Sequence, residues 1–200
     1  MGRVEPSIRN GFFIHPNAIC DSTHVGARTR VWGFSHVMKD AVIGMDCNIG
    51  EHVYIEDRVI IGDRCTVKNG VAIWECVVLE SDVFVGPYAV FTNDFTPRAF
   101  IKRTREHFLP TLLKRGCSVG ANATLVCGIT VGEYAIIGAG SVVIRDVAPH
   151  ALVVGNPGRV IGKVCFCGEK LGTNDACIKC GIPLAQNSID LVRTKIEALK

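Results

Sequence analysis

"VWGFSHVMKDAVIGMDCNIGEHVYIEDRVIIGDRCTV", residues 31–67, repeats its own chemistry every six residues. Val31, Val37, Ile43, Ile49, Ile55, Ile61 and Val67 mark the beat. Followed in both directions it covers thirteen slots from Ile19 to Phe91, all apolar, eleven of them Val or Ile. Four residues after each slot stands a small or β-branched side chain, such as Thr29, Ser35, Ala41, Cys47, Val53, Val59 and Cys65. Glycine often follows the slot directly, as at Gly26, Gly44, Gly50, Gly62 and Gly86. A period of six is neither helical nor simply alternating. It fits a short strand and a turn, three of which close one coil of a triangular prism. The large aliphatics point inward, and the small residues also point in, near the corners. Glycine and Asn or Asp are expected to serve the turns, where positive φ is needed. A sandwich of short strands would not hold so unbroken a period. The two cysteines on the beat, Cys47 and Cys65, read as packing residues.

The composition fits this architecture. Of 200 residues, 48% are hydrophobic, 20% charged and only 7% aromatic, so Val, Ile, Leu and Ala must build the core. A net charge of +3 is too mild for a nucleic-acid binder and suits small anionic ligands. No secretory leader and no apolar run of membrane-spanning length is visible, and ten cysteines then imply reduced thiols. A cytoplasmic location is expected.

The beat lapses after Phe91 and is regained at Val119, Leu125, Val131, Ile137 and Val143. Residues 94–116 are therefore expected to form a loop outside the prism. Such a loop is usually functional or disordered. This one carries Arg98, Lys102, Arg103, Arg105, Lys114 and Arg115 against Asp94 and Glu106. That excess of positive charge suits a diphosphate, a uronate or the phosphates of a coenzyme.

Four stretches carry a resemblance: "TRVWGFSHV" (29–37), "LESDVFVGPYAVFTNDFTPRA" (79–99), "KRGCSVGANATLVCGITVGEYAIIGAGSVV" (114–143) and "VVGNPGRVIG" (153–162). They resemble the hexapeptide-repeat acyltransferases of the left-handed β-helix class. Within that class they are most similar to the nucleotide-amino-sugar N-acetyltransferases, nearest the type that acetylates the 3-amino group of UDP-2-acetamido-3-amino-2,3-dideoxyglucuronate. The resemblance covers residues 13–163. It implies an all-β, left-handed parallel β-helix, a homotrimer with sites between subunits, acetyl-CoA as donor and a nucleotide-linked amino sugar as acceptor. A UDP or dTDP sugar destined for surface polysaccharide, such as lipopolysaccharide, is the expected substrate. The left hand comes from the resemblance, since unaided physics favours right-handed crossovers.

The resemblance also assigns roles. The asparagine of "FTN" lies at the sugar amine in such enzymes, which makes Asn93 the first candidate. Asp94 follows it and is a candidate general base. Gly138, Ala139 and Gly140 would let a pantetheine arm lie close to the backbone, and "GNPGR", with Asn156 and Arg159, would meet the nucleotide end of the coenzyme. Gly158 stands where the family usually has alanine. For the sugar nucleotide the candidates are Arg98, Trp32 as a stacking surface for a base, and Glu75, which also reads as a plain surface acid.

Two other reactions on this fold need histidines. An O-acyltransferase would use a histidine base. A γ-type carbonic anhydrase would need three histidines converging on zinc. His15, His24, His36, His52, His107 and His150 show neither arrangement. A non-catalytic scaffold remains the third alternative.

After Gly162 the period ends. Cys165, Cys167, Cys177 and Cys180, in "CFCGEKLGTNDACIKCG", can surround one structural zinc. The appendix 164–184 is too short to bury a core, so metal would stabilise it. Residues 188–200 place Ile189, Val192, Ile196 and Leu199 on one helical stripe.

Overall fold

The computed structural model describes residues 7–9, 11–172, 174–186 and 189–198. The chain winds into a three-sided parallel β-helix whose strands are almost all two or three residues long. Face one has ten strands, face two seven and face three six. The antiparallel pairs lie at the two ends of face one, Ser7–Arg9 against Phe12–Ile14 and Ala151–Val154 against Arg159–Lys163. Among the described residues no helix is long and apolar enough to cross a membrane.

One coil takes 18 residues, so Ile43 pairs with Ile61 and Ile61 with Leu79. The slots on the beat are the core: Val31, Val37, Ile49, Ile55, Ile73 and Leu125 are fully buried. The small slots also point inward. Ser35 Oγ donates to the Gly50 carbonyl at 2.6 Å and accepts from Val53 N at 3.1 Å. Cys47 Sγ and Cys65 Sγ donate to the carbonyls of Gly62 and Glu80 at 3.1 and 3.0 Å. Both thiols are packing groups, as expected.

The first coil departs from the beat. Ile19 is 56% exposed, and Cys20 takes the inward slot. Ser22, not Thr23, fills the small slot, with Oγ 2.6 Å from the Ala41 carbonyl. The reason is register: Cys20 pairs with Val37, one residue short of a full coil.

The glycines after each slot also serve a different purpose from the one expected. They do not carry positive φ; they admit the neighbouring coil. A Cβ on Gly120 would lie 2.5 Å from Ala139 N and 2.8 Å from Gly138 C. The left-handed residues sit two places further on, and most are not glycine: Arg28, Asp46, Arg64, Asp82 and Tyr134 among them. Their strain is offset by a bond back to the previous coil, as Arg64 N to Met45 O at 2.7 Å and Asp82 N to Asp63 O at 2.8 Å.

The excursion is shorter than the 94–116 expected. Thr111–Leu113 is already back on face three, with Leu79 opposite Leu113, a step of 34 rather than 18. Sixteen residues are therefore extra. Leu113 continues the beat to Val119 but was hidden by its distance from Phe91.

Candidate active site

The excursion leaves the prism at the corner between faces two and three. Leu109 N donates to the Asn93 carbonyl at 2.9 Å and closes the neck. Thr92 Oγ1 accepts from Cys127 N at 2.9 Å, fixing the last residue before the departure. The Asn93 side chain is half-buried and hydrogen-bonds to nothing among the described residues. The pairing of Ala72 with Val90 sets Thr92 one coil above Trp74, and Asn93 one coil above Glu75.

Charged side chains organise the loop around this neck. Asp94 Oδ1 accepts from Thr96 N at 2.9 Å, and its other oxygen faces Arg103 Nε at 3.7 Å. Arg103 Nη2 donates to the carbonyl and hydroxyl of Thr96 at 3.1 and 2.8 Å. Glu75, its side chain only 15% exposed, accepts from Arg58 at 3.0 Å and from Arg105 of the excursion. Glu75 N in turn donates to Glu56 Oε2 at 2.7 Å. Burial, with Asp57 adding repulsion, pushes the Glu56 carboxyl above the usual range. Arg98 is exposed, and its guanidinium donates to the neighbouring Pro97 carbonyl at 3.0 Å. Phe100 and Phe95, at 83% and 64% exposed, leave the tip apolar.

Towards the far end of the prism a hollow of about 180 Å³ is lined by Val143, Arg145, Asp146, Gly158 and Arg159 among others. Arg159 Nη1 donates to the Gly158 carbonyl at 3.1 Å. Gly138, Ala139, Gly140 and Asn156 do not line it. Gly138 lies close under Val154, whose Cγ1 would be 2.7 Å from a Cβ there, and Gly140 has φ +67° at the corner between faces one and two. Trp32 lies away from the neck: its Nε1 donates to Asn48 Oδ1 at 3.0 Å and its ring packs on Phe13 at 5.4 Å.

Beyond the prism, the sulfurs of Cys165, Cys167, Cys177 and Cys180 all lie within 4.8 Å of one another. The backbone N–H of Cys180 donates to Cys177 Sγ at 3.4 Å. Burial opposes ionisation of Cys177, but N–H groups of Cys180 and Lys179 and the thiols of Cys180 and Cys167 outweigh it and bring the thiol down to about 7. The segment docks on the prism through Phe166, whose ring lies 4.3 Å from Tyr134 and 4.7 Å from His150. The helix runs Ile189–Glu197; Val192 is buried and Ile196 half-buried beside the cysteines. The Ile189 side chain and Leu199 lie outside the described residues.

A model of the bacterial transferase hexapeptide, six repeats, matches residues 22–57 and 110–145, and one of the hexapeptide repeat of succinyl-transferase matches 41–74. Both leave the stretch that holds the excursion unmatched. The dTDP-3-amino-3,6-dideoxy-alpha-D-galactopyranose 3-N-acetyltransferase of Aneurinibacillus thermoaerophilus is 48% identical over 171 residues, covering 84% of this chain and 88% of that enzyme. This chain belongs to the hexapeptide-repeat transferase family. Galactoside acetyltransferase, solved in complex with coenzyme A, shares the fold with a TM-score of 0.55 at 21% identity, over 62% of this chain and 64% of that one. The polySia-specific acetyltransferase NeuO does so at 0.53 and 18%, over 78% and 82%.

In this hexapeptide-repeat transferase the structure brings Asn93, Asp94 and Glu75 to one corner and sets Arg159 in the far hollow. It separates Trp32 from both. Sequence reasoning missed the Arg58–Glu75–Arg105 cluster and the placement of Trp74 under Thr92. The signal was present: a coil of 18 residues maps position 74 onto 92 and position 75 onto 93.

Proposed function

We propose that the protein moves acetyl from acetyl-CoA to the amino group, at C3, of a UDP- or dTDP-linked amino sugar, within a homotrimer, in the cytoplasm, for surface polysaccharide. The observation that carries this reading is the unpartnered Asn93 amide at the neck of an arginine-rich excursion, in a chain 48% identical to a dTDP-sugar 3-N-acetyltransferase. Asn93 Oδ1 would accept an N–H of the neutral amine and aim its lone pair at the thioester carbonyl. Positioning supplies much of the acceleration for such an attack. The thiolate of coenzyme A leaves, and the proton lost by the new amide nitrogen returns to it through solvent. No protein nucleophile is needed. Asp94 is committed to Thr96 and Arg103, so we assign it to shaping the loop. The hollow with Arg159 would take the phosphate end of the coenzyme.

Of the histidines weighed as a base, His107 lies in the excursion, exposed, with its Nδ1 3.1 Å from Thr104 Oγ1. His36 Nε2 bonds Asp21 Oδ2 at 2.9 Å, three coils below Asn93. Thiol release should be measured over a panel of dTDP- and UDP-amino sugars. Asn93→Ala should lower turnover on the order of a hundredfold with trimer and melting temperature retained; an unchanged rate removes Asn93 from its role.

The four cysteines fit a structural zinc: the donor set is all sulfur, the sulfurs are close, and a backbone N–H already points at one of them. They leave no open position for catalysis. One equivalent of zinc per chain is expected by elemental analysis, and stripping it should expose residues 164–186 to protease while the prism stays intact. A metal-free protein with a protected appendix would overturn the assignment.

A further inference from the structure

Below the Asn93 corner, face two carries a column of three rings. Trp74 lies one coil down, two residues beyond Ala72; Tyr54, which pairs with Ala72, lies two coils down, and His36, which pairs with Tyr54, three. Adjacent rings touch: Trp74 and Tyr54 have centroids 5.5 Å apart, Tyr54 and His36 5.8 Å. All three are half-buried, so each still offers surface to a ligand. The column ends in polar groups. Asp21 holds His36 by Nε2 at 2.9 Å, and the other ring nitrogen has no partner among the described residues. At the upper end Arg58 and Arg105 converge on Glu75, one coil below Asn93.

We propose that this column is the seat of the nucleoside, with the base stacked against Trp74 and Tyr54 and its polar edge towards His36 and Asp21. The proposal rests on the reading that places the acceptor amine at Asn93. From there the three rings lie one, two and three coil steps of roughly 4.8 Å below, and the pyranose and diphosphate would bridge from the amine to a base laid along them. The guanidinium groups stand at the end where the phosphates would lie. Every base has a π-face, and stacking on aromatic side chains is a general means of holding one. The other tryptophan is engaged elsewhere, by Asn48 and Phe13.

The chain has two tryptophans, which makes the seat visible by fluorescence. Titration with dTDP, and with UDP and GDP as comparison arms, should quench emission in the native protein and in Trp32→Phe, and lose that quenching in Trp74→Phe. In steady state, Trp74→Ala should raise the KM for the nucleotide-linked sugar on the order of tenfold, leave the KM for acetyl-CoA unchanged, and be largely rescued by Trp74→Phe. Tyr54→Ala should act in the same direction. Full quenching in Trp74→Phe, or an unchanged sugar-nucleotide KM in both alanine variants, overturns the seat. The two readings fail separately. Quenching at Trp74 without turnover of any amino-sugar nucleotide would keep the seat and sink the acetyl transfer. Turnover without quenching, at an unchanged KM, would do the reverse.

Discussion

Between Val42 and Phe91 each residue is placed by the coils beside it; between Asn93 and Pro110 placement depends on a few charged side chains. In the first region Val67, Ile73, Leu79 and Val85 are wholly buried, and each strand finds a backbone partner 18 residues away. In the second, Phe95, Phe100 and Ile101 are exposed, and the clamps are Arg103 on Thr96, Arg105 on Glu75 and one neck bond between Asn93 and Leu109. The prism is stabilised by apolar burial and by ladders, which do not depend on the excursion. Chemistry can therefore be built on the excursion at little cost to the fold. The difference also locates the site, because polar groups left without partners collect where the ladder stops.

The sharpest way to break this comparison is to remove the excursion. The neck residues Asn93 and Leu109 already touch, so a short glycine-serine linker can replace residues 95–107. Loop closure costs little when the ends are held together. The expected result is a cooperative melt within a few degrees of the native protein and no measurable acetyl transfer. A melting point lowered as far as by a core truncation would show that the excursion belongs to the fold.

The converse test strikes the prism. Gly120 faces backbone alone: Ala139 N, Gly138 C and Ile137 O would all lie within 2.8 Å of a new Cβ. Such atoms cannot swing aside as a side chain end can. Gly120→Ala should destabilise by about 1–3 kcal/mol, read from urea unfolding. An unaltered midpoint would mean that the coils can separate freely there, and that the glycine position is not a spacing requirement.

The same contrast explains what could be read in advance. A six-residue beat is a covalent count, so the prism, its inward slots and the packing roles of Cys47 and Cys65 were legible from it. Where the count slips by one residue, at Cys20, the reading slipped with it. Glycine 120 and its equivalents show a different failure. Sequence marks a position that excludes a side chain but does not say whether a backbone angle or a neighbouring coil excludes it. The end of the excursion was misjudged because Leu113 is separated from Phe91 by an unknown length of loop. Asn93 could be singled out by resemblance. The engagement of Glu75 with two arginines could not, because Arg105 reaches it only through the path of the excursion. Trp32 was the stacking residue expected and Trp74 was passed over; the register separates them, as Trp74 stands beneath the neck and Trp32 does not.

The smallest effect belongs to the corner between faces three and one, where charges decorate the prism without building it. Asp82 accepts from Arg64 Nε at 2.7 Å and from Arg115 Nε at 3.0 Å. The Arg64 bond first, and Arg115 after it, hold the Asp82 carboxyl below its usual range against the opposing effect of burial. A carboxyl depressed in the folded state contributes stability above its unfolded value, near 3.9 for aspartate, and loses it as pH falls through the folded one. Asp82→Asn should therefore cost at most about 1 kcal/mol at neutral pH, because both arginines are about half exposed. The native and variant curves should converge below about pH 4, and added salt should narrow the gap at neutrality. A gap that persisted in acid would mean that Asp82 supports the corner by shape and not by charge. The corner would then belong with the ladder-built prism rather than with the charge-held excursion.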